Sequence, residues 1–373
     1  MIPVFRPTLG ERELAAVAAV FSSGWLGRGP KTEAFEEAFA RHLGVEREQV
    51  LSLTSCTEGL FQAIAALGLG PGDEVVMPAV SFVGAANAVA ASGAQVVFCD
   101  VDPRRLNPTR ENLEAALSPR TRAVMLMHYG GVPLELAEIA EFCRERSLWL
   151  VEDAANSVAA RAQGRACGTF GDIGVWSFDA MKTLSTGEGG MVFCRDAEIR
   201  GRILANSTMG LSNFSAVLSA RTQRWWELTV GSCGRRSILG DVAAALGIVQ
   251  LERLPEFVAR RREVDHFYRQ ALADLPWLEL PPTPPAGINS GHAFFWIRCG
   301  ERRDRLALYL RENGVYTTFR YEPLHRQPLY RSSPELPGTD DAAAQTLLLP
   351  QHQHLSDQDL QKIAELVHAF RPG

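Results

Sequence analysis

The sequence predicts an α/β protein: a large, mostly parallel sheet domain followed by a smaller α+β domain. Three observations carry this. Six short apolar runs lie between residues 74 and 194, amphipathic segments separate several of them, and the pattern changes near residue 240. Near-continuous apolar strands separated by helices mark a parallel sheet buried on both faces.

The runs are Glu74–Met77, Gln95–Cys99, Ala123–Met127, Leu148–Val151, Ile173–Phe178 and Gly190–Cys194. A further short strand precedes Thr54. Helical periodicity covers Gly59–Leu67 and Leu134–Arg146, and Ser81–Ala91 reads as a close-packing helix of small residues. These place a large domain at 1–240, with roughly the first 25 residues free to pack on the small domain at 241–373. The small domain opens with a long helix, Asp241–Ala273, interrupted or kinked at Pro255. Its charged middle, ARRREVDHFYRQ, reads as a solvated face. A Pro-rich loop (281–290), a strand (292–299), a helix ending at Gly314, a second strand at Val315–Tyr321 and a helix at Ser356–Phe370, N-capped by Ser356, complete it.

Of the 373 residues, 46% are hydrophobic and 22% charged, an ordinary globular composition. A net charge of −5 supplies no basic field, so nucleic acid is not an expected partner. No apolar run approaches the roughly 20 residues that span a bilayer. The N-terminus lacks the basic start and small-residue cleavage site of a signal peptide, so a cytoplasmic protein with no membrane partner is expected. Seven dispersed cysteines without a C-x-x-C pair read as reduced, buried thiols. His352 and His354 alternate in a loop with no acidic or thiol partners nearby, and no metal site is expected.

Lysine is the informative residue. Lysine and arginine total 38, yet only Lys31, Lys182 and Lys362 are lysines. The first and last sit in charged, helical surroundings, whereas GVWSFDAMKTLSTGEGG around Lys182 is apolar, small and polar. Arginine stays protonated, but a desolvated lysine can lose its proton and form an imine. In LWLVEDAANS an apolar strand ends in two acids, and the carboxyl end of such a strand is where open α/β sheets bind ligands. Asp153 suits a pyridine nitrogen there; a helix cap or structural ion pair are its other readings. Ser177, at the next strand end, is within reach of a phosphate oxygen. TSCTEG opens a helix whose free N–H groups suit a phosphate dianion, or form a plain hydroxyl cap. Phe82, after the Pro78 turn, is a ring that stacks on a flat cofactor or belongs to the core.

Taken together, GWLGRGPKTEAFEEAFARHLG, TSCTEG, PAVSFVGAANAV, FCDVDP, VMLMHYGGVPLELAEI, LVEDAANS, GTFGDIGVWSFDAMKTLSTGEGG, YEPLHRQPLY and LLLPQHQHLSDQDL resemble the DegT/DnrJ/EryC1/StrS sugar aminotransferases over essentially the whole chain. The resemblance implies an aspartate-aminotransferase-like fold, pyridoxal 5′-phosphate (PLP) as cofactor and a homodimer with shared active sites. It implies Lys182 as the Schiff-base lysine and acid–base group, Asp153 as partner of the ring nitrogen and Phe82 as the stacked ring. Thr57 and Glu58 offer backbone N–H groups to the phosphate, helped by Ser177. Asn156 stands where the family commonly has glutamine, and Val158 where many members have histidine. Arg236-Ser237-Ile238 aligns with a frequent N-Y-R segment that reaches the neighbouring subunit's cofactor phosphate, so Arg235 or Arg236 takes that contact. Trp25, Leu26, Trp225, Arg320, Tyr321 and His325 are the sugar-contact candidates, with a surface salt bridge as the other reading of Arg320, packing of Trp225 and a loop-fixing bond of His325. The implied reaction moves an amino group from glutamate to a dTDP-linked 4-keto-6-deoxy sugar. GSCGRRSILGDVAAA favours the branch that aminates C4. Amination at C3, and a PLP-binding regulator without turnover, are the alternatives.

Overall fold

The computed structural model describes residues 1–133, 135–211, 228–330 and 335–371. Its main sheet has seven strands: β1 (Val50–Leu53), β2 (Glu74–Pro78), β3 (Gln95–Cys99), β4 (Thr121–Met127), β5 (Trp149–Asp153), and, after the two-residue strands β6 (Arg161–Ala162) and β7 (Arg165–Ala166), β8 (Ile173–Ser177) and β9 (Gly190–Cys194). The spatial order is β1-β9-β8-β5-β4-β2-β3. β3, β2, β4, β5 and β8 are mutually parallel, and β9 runs antiparallel to both β8 and β1. β9 is therefore the one reversed strand, and the other six deliver their carboxyl ends to one edge. The apolar runs form these strands because both sides of the inner strands are buried, while the edge strand β3 is buried only at its carboxyl end.

Helices α1 (Glu11–Ser23) and α2 (Pro30–Leu43) precede the sheet; α3 (Cys56–Ala66) follows β1 and α4 (Val83–Ala91) follows β2. Asp241 fixes the start of α2, accepting from the N–H groups of Lys31 and Thr32 and from Thr32 Oγ1. A substitute cap is needed because Gly29, at the N-cap position, has no side chain to offer.

The long helix runs unbroken from Asp241 to Ala271 with Pro255 inside it. Its neighbours explain why it survives. Ala244 and Leu254 pack with Phe35, Phe39 and Trp176 beside the large sheet, and Val264, Tyr268 and Leu272 pack in the small-domain core. The helix thus belongs to both cores, and the expected division at 240/241 falls at its start. Its charged middle is a solvated face only in part: Arg262, Glu263, His266 and Gln270 are exposed, whereas Arg261, Val264 and Tyr268, in one stripe with Phe257 at helical spacing, are fully buried.

One further reading is corrected. Val315–Tyr321 is not a strand; it makes only isolated bridges, Val315 to Ile2 and Thr318 to Leu348. The strand that pairs with Phe295–Arg298 is Thr346–Leu349, preceding the QHQH loop. The N-terminal residues do reach the small domain, where Ile2 N–H donates to Gly314 O and Gln351 N–H to Val4 O. Helix α1 lies along the long helix, with Glu13 bonded to Gln250 and Arg253. Six cysteines are buried free thiols, while Cys233 is exposed. Among the described residues no helix is long and apolar enough to cross a membrane.

Candidate active site

The carboxyl edge of the sheet gathers the predicted residues. Strand β5 ends in Glu152 and Asp153, and the alternation of a strand separates their roles. Glu152 points into packed backbone, accepting from the N–H groups of Gly168 (2.8 Å) and Gly171 (2.6 Å) and bonding His128 Nε2 (3.0 Å). Asp153 points the other way, to the α3 side, with the Cys56 thiol 3.9 Å from its Oδ1 and the Ala155 N–H donating at 3.0 Å. Burial raises the Asp153 carboxyl above the ordinary aspartate range, although the Ala155 N–H and the charges of Lys182 and His128 oppose the shift. The same burial, with Asp153 adjoining, pushes the Cys56 thiol far up and leaves it un-ionised.

Lys182 lies in the turn after β8. Its Nζ donates to Asn156 Oδ1 at 2.9 Å, and the cleft around it is lined by Ser177, Thr183, Phe5, Phe294, Arg261 and Arg320. The other amide end, Asn156 Nδ2, is buried without a partner among the described residues. Ser177 Oγ accepts from Asp179 N–H at 3.4 Å, a long bond that leaves the hydroxyl available.

Helix α3 starts at the same edge. Ser55 Oγ caps the N–H of Glu58 at 3.0 Å, so that donor is already occupied, while Cys56 and Thr57, in the first turn, have no intrahelical acceptor. Gly190, at the start of β9, lies against this turn: a Cβ there would sit 2.5 Å from the Ser55 carbonyl carbon and 2.6 Å from the Cys56 nitrogen. The glycine of GEGG is thus needed for close approach of β9 to the helix start. The Glu58 side chain accepts from Ser237 Oγ (2.8 Å) and Gln62 (2.7 Å) and pairs with Arg235 (3.3 Å). Arg235 is therefore held, whereas Arg236 is exposed and contributes a backbone bridge to Thr208.

The expected sugar contacts divide. Arg320 and Tyr321 come to the cleft rim: the Arg320 guanidinium lies 4.6 Å from the Phe5 ring centre and 5.9 Å from that of Tyr321, with Nη2 3.4 Å from Met181 Sδ. Tyr321 meets Phe82 edge-on at 5.7 Å; Phe82 begins α4 and is half exposed. Trp25 and Leu26 are exposed on the α1–α2 turn, with Trp25 Nε1 bonded to Arg28 O at 2.9 Å. His325 does not line the cleft; it faces Asp340 at 3.4 Å, the loop-fixing geometry, and burial lowers its pKa. Trp225 lies outside the described residues. Sequence reasoning missed Phe5 and Arg261, although the 257/261/264/268 spacing carried the signal for the second.

The profile of the DegT/DnrJ/EryC1/StrS aminotransferase family matches residues 7–368. The chain is 50% identical over 367 residues to dTDP-4-dehydro-2,3,6-trideoxy-D-glucose 4-aminotransferase of Saccharopolyspora spinosa, covering 98% of this chain and 95% of that protein. The structure of the aminotransferase TlmJ from Streptoalloteichus hindustanus superposes with a TM-score of 0.95 at 55% identity, covering 99% of this chain and 98% of the other. Helicobacter pylori PseC, an aminotransferase involved in the biosynthesis of pseudoaminic acid, gives 0.91 at 25% identity with 98% of each chain covered. Fold and comparisons define an aminotransferase of the α/β class. The chain belongs to the DegT/DnrJ/EryC1/StrS aminotransferase family.

Proposed function

We propose that this chain is a PLP-dependent, cytoplasmic aminotransferase that moves an amino group from glutamate to C4 of a dTDP-4-keto-6-deoxy sugar. The observation that carries the reading is the Lys182–Asn156 pair at the carboxyl edge of the sheet, set beside the buried Asp153.

The residues present fit the cofactor. Asn156 Nδ2 is a buried donor lacking an acceptor among the described residues, which a phenolic oxygen would supply. The first-turn N–H groups of Cys56 and Thr57, with the Ser177 hydroxyl, suit a phosphate. Asp153 is a carboxyl that burial makes reluctant to ionise alone, so a positively charged ring nitrogen beside it relieves the cost. When bound, PLP supplies the electron sink that makes a proton on the substrate carbon removable. Lys182 Nζ, oriented by Asn156 Oδ1, takes that proton and returns it. Phe82, exposed and edge-on to Tyr321, would stack on the cofactor ring. Arg320, which has no carboxylate partner among the described residues, meets the sugar diphosphate.

The reading includes a homodimer. The exposed apolar side chains of Trp25, Leu26, Phe82 and Met181 support it, as does Arg236, which is free to reach a neighbouring subunit. The relative from S. spinosa, a 4-aminotransferase by name, supports C4. The test is to incubate the purified protein with PLP, glutamate and dTDP-4-keto-6-deoxyglucose, and to identify the product by mass spectrometry and NMR. A C4 amine formed with stoichiometric 2-oxoglutarate is expected. Amine at C3 of a 3-keto sugar but not at C4 would replace the regiochemistry, and bound PLP without transfer to any keto sugar would leave a binding protein.

A further inference from the structure

The cleft around Lys182 contains a deeply buried cation, Arg261, that no carboxylate neutralises among the described residues. Arg261 projects from the long helix, is 1% exposed, and lines the cleft with Asn156, Lys182 and Phe294. Its Nε donates to Gln353 Oε1 at 2.9 Å. Its Nη1 donates to the carbonyl oxygens of Gln351 (2.9 Å), His292 (3.2 Å) and Ala293 (3.3 Å). Every one of these acceptors is neutral.

No carboxylate lies within ion-pair distance of Arg261 among the described residues. The acid one turn further on, Asp265, is taken by Arg269 at 2.7 Å and faces His292 at 3.7 Å. Burial alone acts on the Arg261 guanidinium and lowers it to about 9, so it remains charged at neutral pH. Buried charges are ordinarily paired, and an isolated one beside a catalytic lysine calls for an anion brought from outside.

We propose that Arg261 anchors a carboxylate of the amino-acid donor. This rests on the aminotransferase reading above and adds the residue that recognises the donor. The chemistry selects this occupant. The donor's nitrogen must come to Lys182, which places its carboxylates within the same cleft. Arg261 Nε and Nη1 are taken by the neutral acceptors, which leaves Nη2, with no acceptor among the described residues, to donate a charge-assisted bond to a carboxylate oxygen. A sugar diphosphate is too bulky for so deep a position, and the cofactor phosphate has the start of α3. Arg320, held by ring faces and the Met181 sulfur, is the rim group without an ion pair among the described residues.

The competing role is purely structural: Arg261 would tie the long helix to residues 292–293 and 351–353. Arg261→Lys separates the two, since it keeps a cation for the carbonyls and loses the Nη2 donors that face the ligand. In the PLP-loaded protein, binding of glutarate, a dicarboxylate without the reactive amine, is measured by calorimetry alongside binding of dTDP. Arg261→Lys is expected to weaken glutarate at least about tenfold, the loss of roughly one charge-assisted contact, with dTDP affinity unchanged. The KM for glutamate should rise in step while that for the sugar holds. With alanine as donor, an equal loss assigns Arg261 to the α-carboxylate, and an unchanged rate assigns it to the side-chain carboxylate. A variant that binds glutarate and uses glutamate as the parent does, with only a lower Tm, overturns the proposal. Should the variant fail to fold, wild-type crystals soaked in glutarate decide: density within hydrogen-bond reach of Arg261 supports it, and none there overturns it. Glutarate binding needs no turnover, so it tests Arg261 even if amine transfer to the sugar is never seen.

Discussion

Glu36 offers a test in which stability and the site are linked. Its carboxylate is fully buried on α2 and accepts from Arg28 Nη1 (2.7 Å) and Nη2 (2.8 Å), from Ser52 N–H (2.8 Å) and Oγ (2.7 Å), and from Arg47. Glutamine at this position keeps the shape but turns one acceptor into a donor facing the two guanidinium groups. Breaking a buried ion pair costs about 3–5 kcal/mol. Arg28 and Arg47 keep 19% and 28% of their side-chain exposure, so water recovers part of this and about 3 kcal/mol is expected. Burial pushes the Glu36 carboxyl up, but the Arg28 hydrogen bonds and the charges of Arg28 and Arg47 outweigh it, so its folded pKa is depressed. The stabilisation is therefore complete above the ordinary glutamate range and is lost as pH falls through the folded value. Urea denaturation of Glu36→Gln at pH 7 should show the deficit, and the gap should narrow in acid. Arg28 also holds the turn bearing Trp25, so the KM for the sugar should rise. A loss below about 1 kcal/mol at pH 7, the range of a surface pair, would refute the argument.

Lys182→Ala should lose transamination entirely and lose the visible absorbance of imine-bound cofactor while keeping its fold by circular dichroism; normal turnover would sink the assignment. Asp153→Asn should make the cofactor-free protein more stable at neutral pH, because the raised folded pKa means ionised Asp153 is a cost that appears as pH rises above the ordinary aspartate range. The advantage should vanish in acid, and a less stable variant at pH 7 would contradict the sign. Gly190→Ala should displace the start of α3, whose backbone lies 2.5 Å from the added Cβ, and weaken PLP binding by about tenfold or more as read by equilibrium dialysis.

The amino-acid pattern contained most of the large domain. Gln95–Cys99 and Gly190–Cys194 are strands with the predicted bounds; the second is buried throughout and apolar throughout, and the first, at the sheet edge, is buried only at its carboxyl end. Val315–Tyr321 misled because β-branched and aromatic residues suit an extended segment whether or not a partner pairs with it; the neighbour is supplied by Ile2 and Leu348, far away in sequence. The charged middle of the long helix misled for a different reason. Arginine is nearly always solvated, so Arg261 was counted with its exposed neighbours, although Phe257, Val264 and Tyr268 share its stripe.

By itself the sequence determined the chemistry available: one lysine in apolar surroundings, an acid at a strand end, and hydroxyls at a helix start. These are local facts, set by residue type and by the two periodicities of helix and strand. Only the tertiary structure decided their relations. It bonded Lys182 to Asn156, 26 residues earlier, and brought Gly190 against Ser55. It also turned Glu152 into packed backbone while Asp153 faced α3, and carried Phe5 and Arg261 into the same cleft from the two ends of the chain. Such neighbours are set by which strands pair and which helix crosses which core. Those choices depend on burial summed over the whole molecule, a quantity that no short stretch of sequence contains.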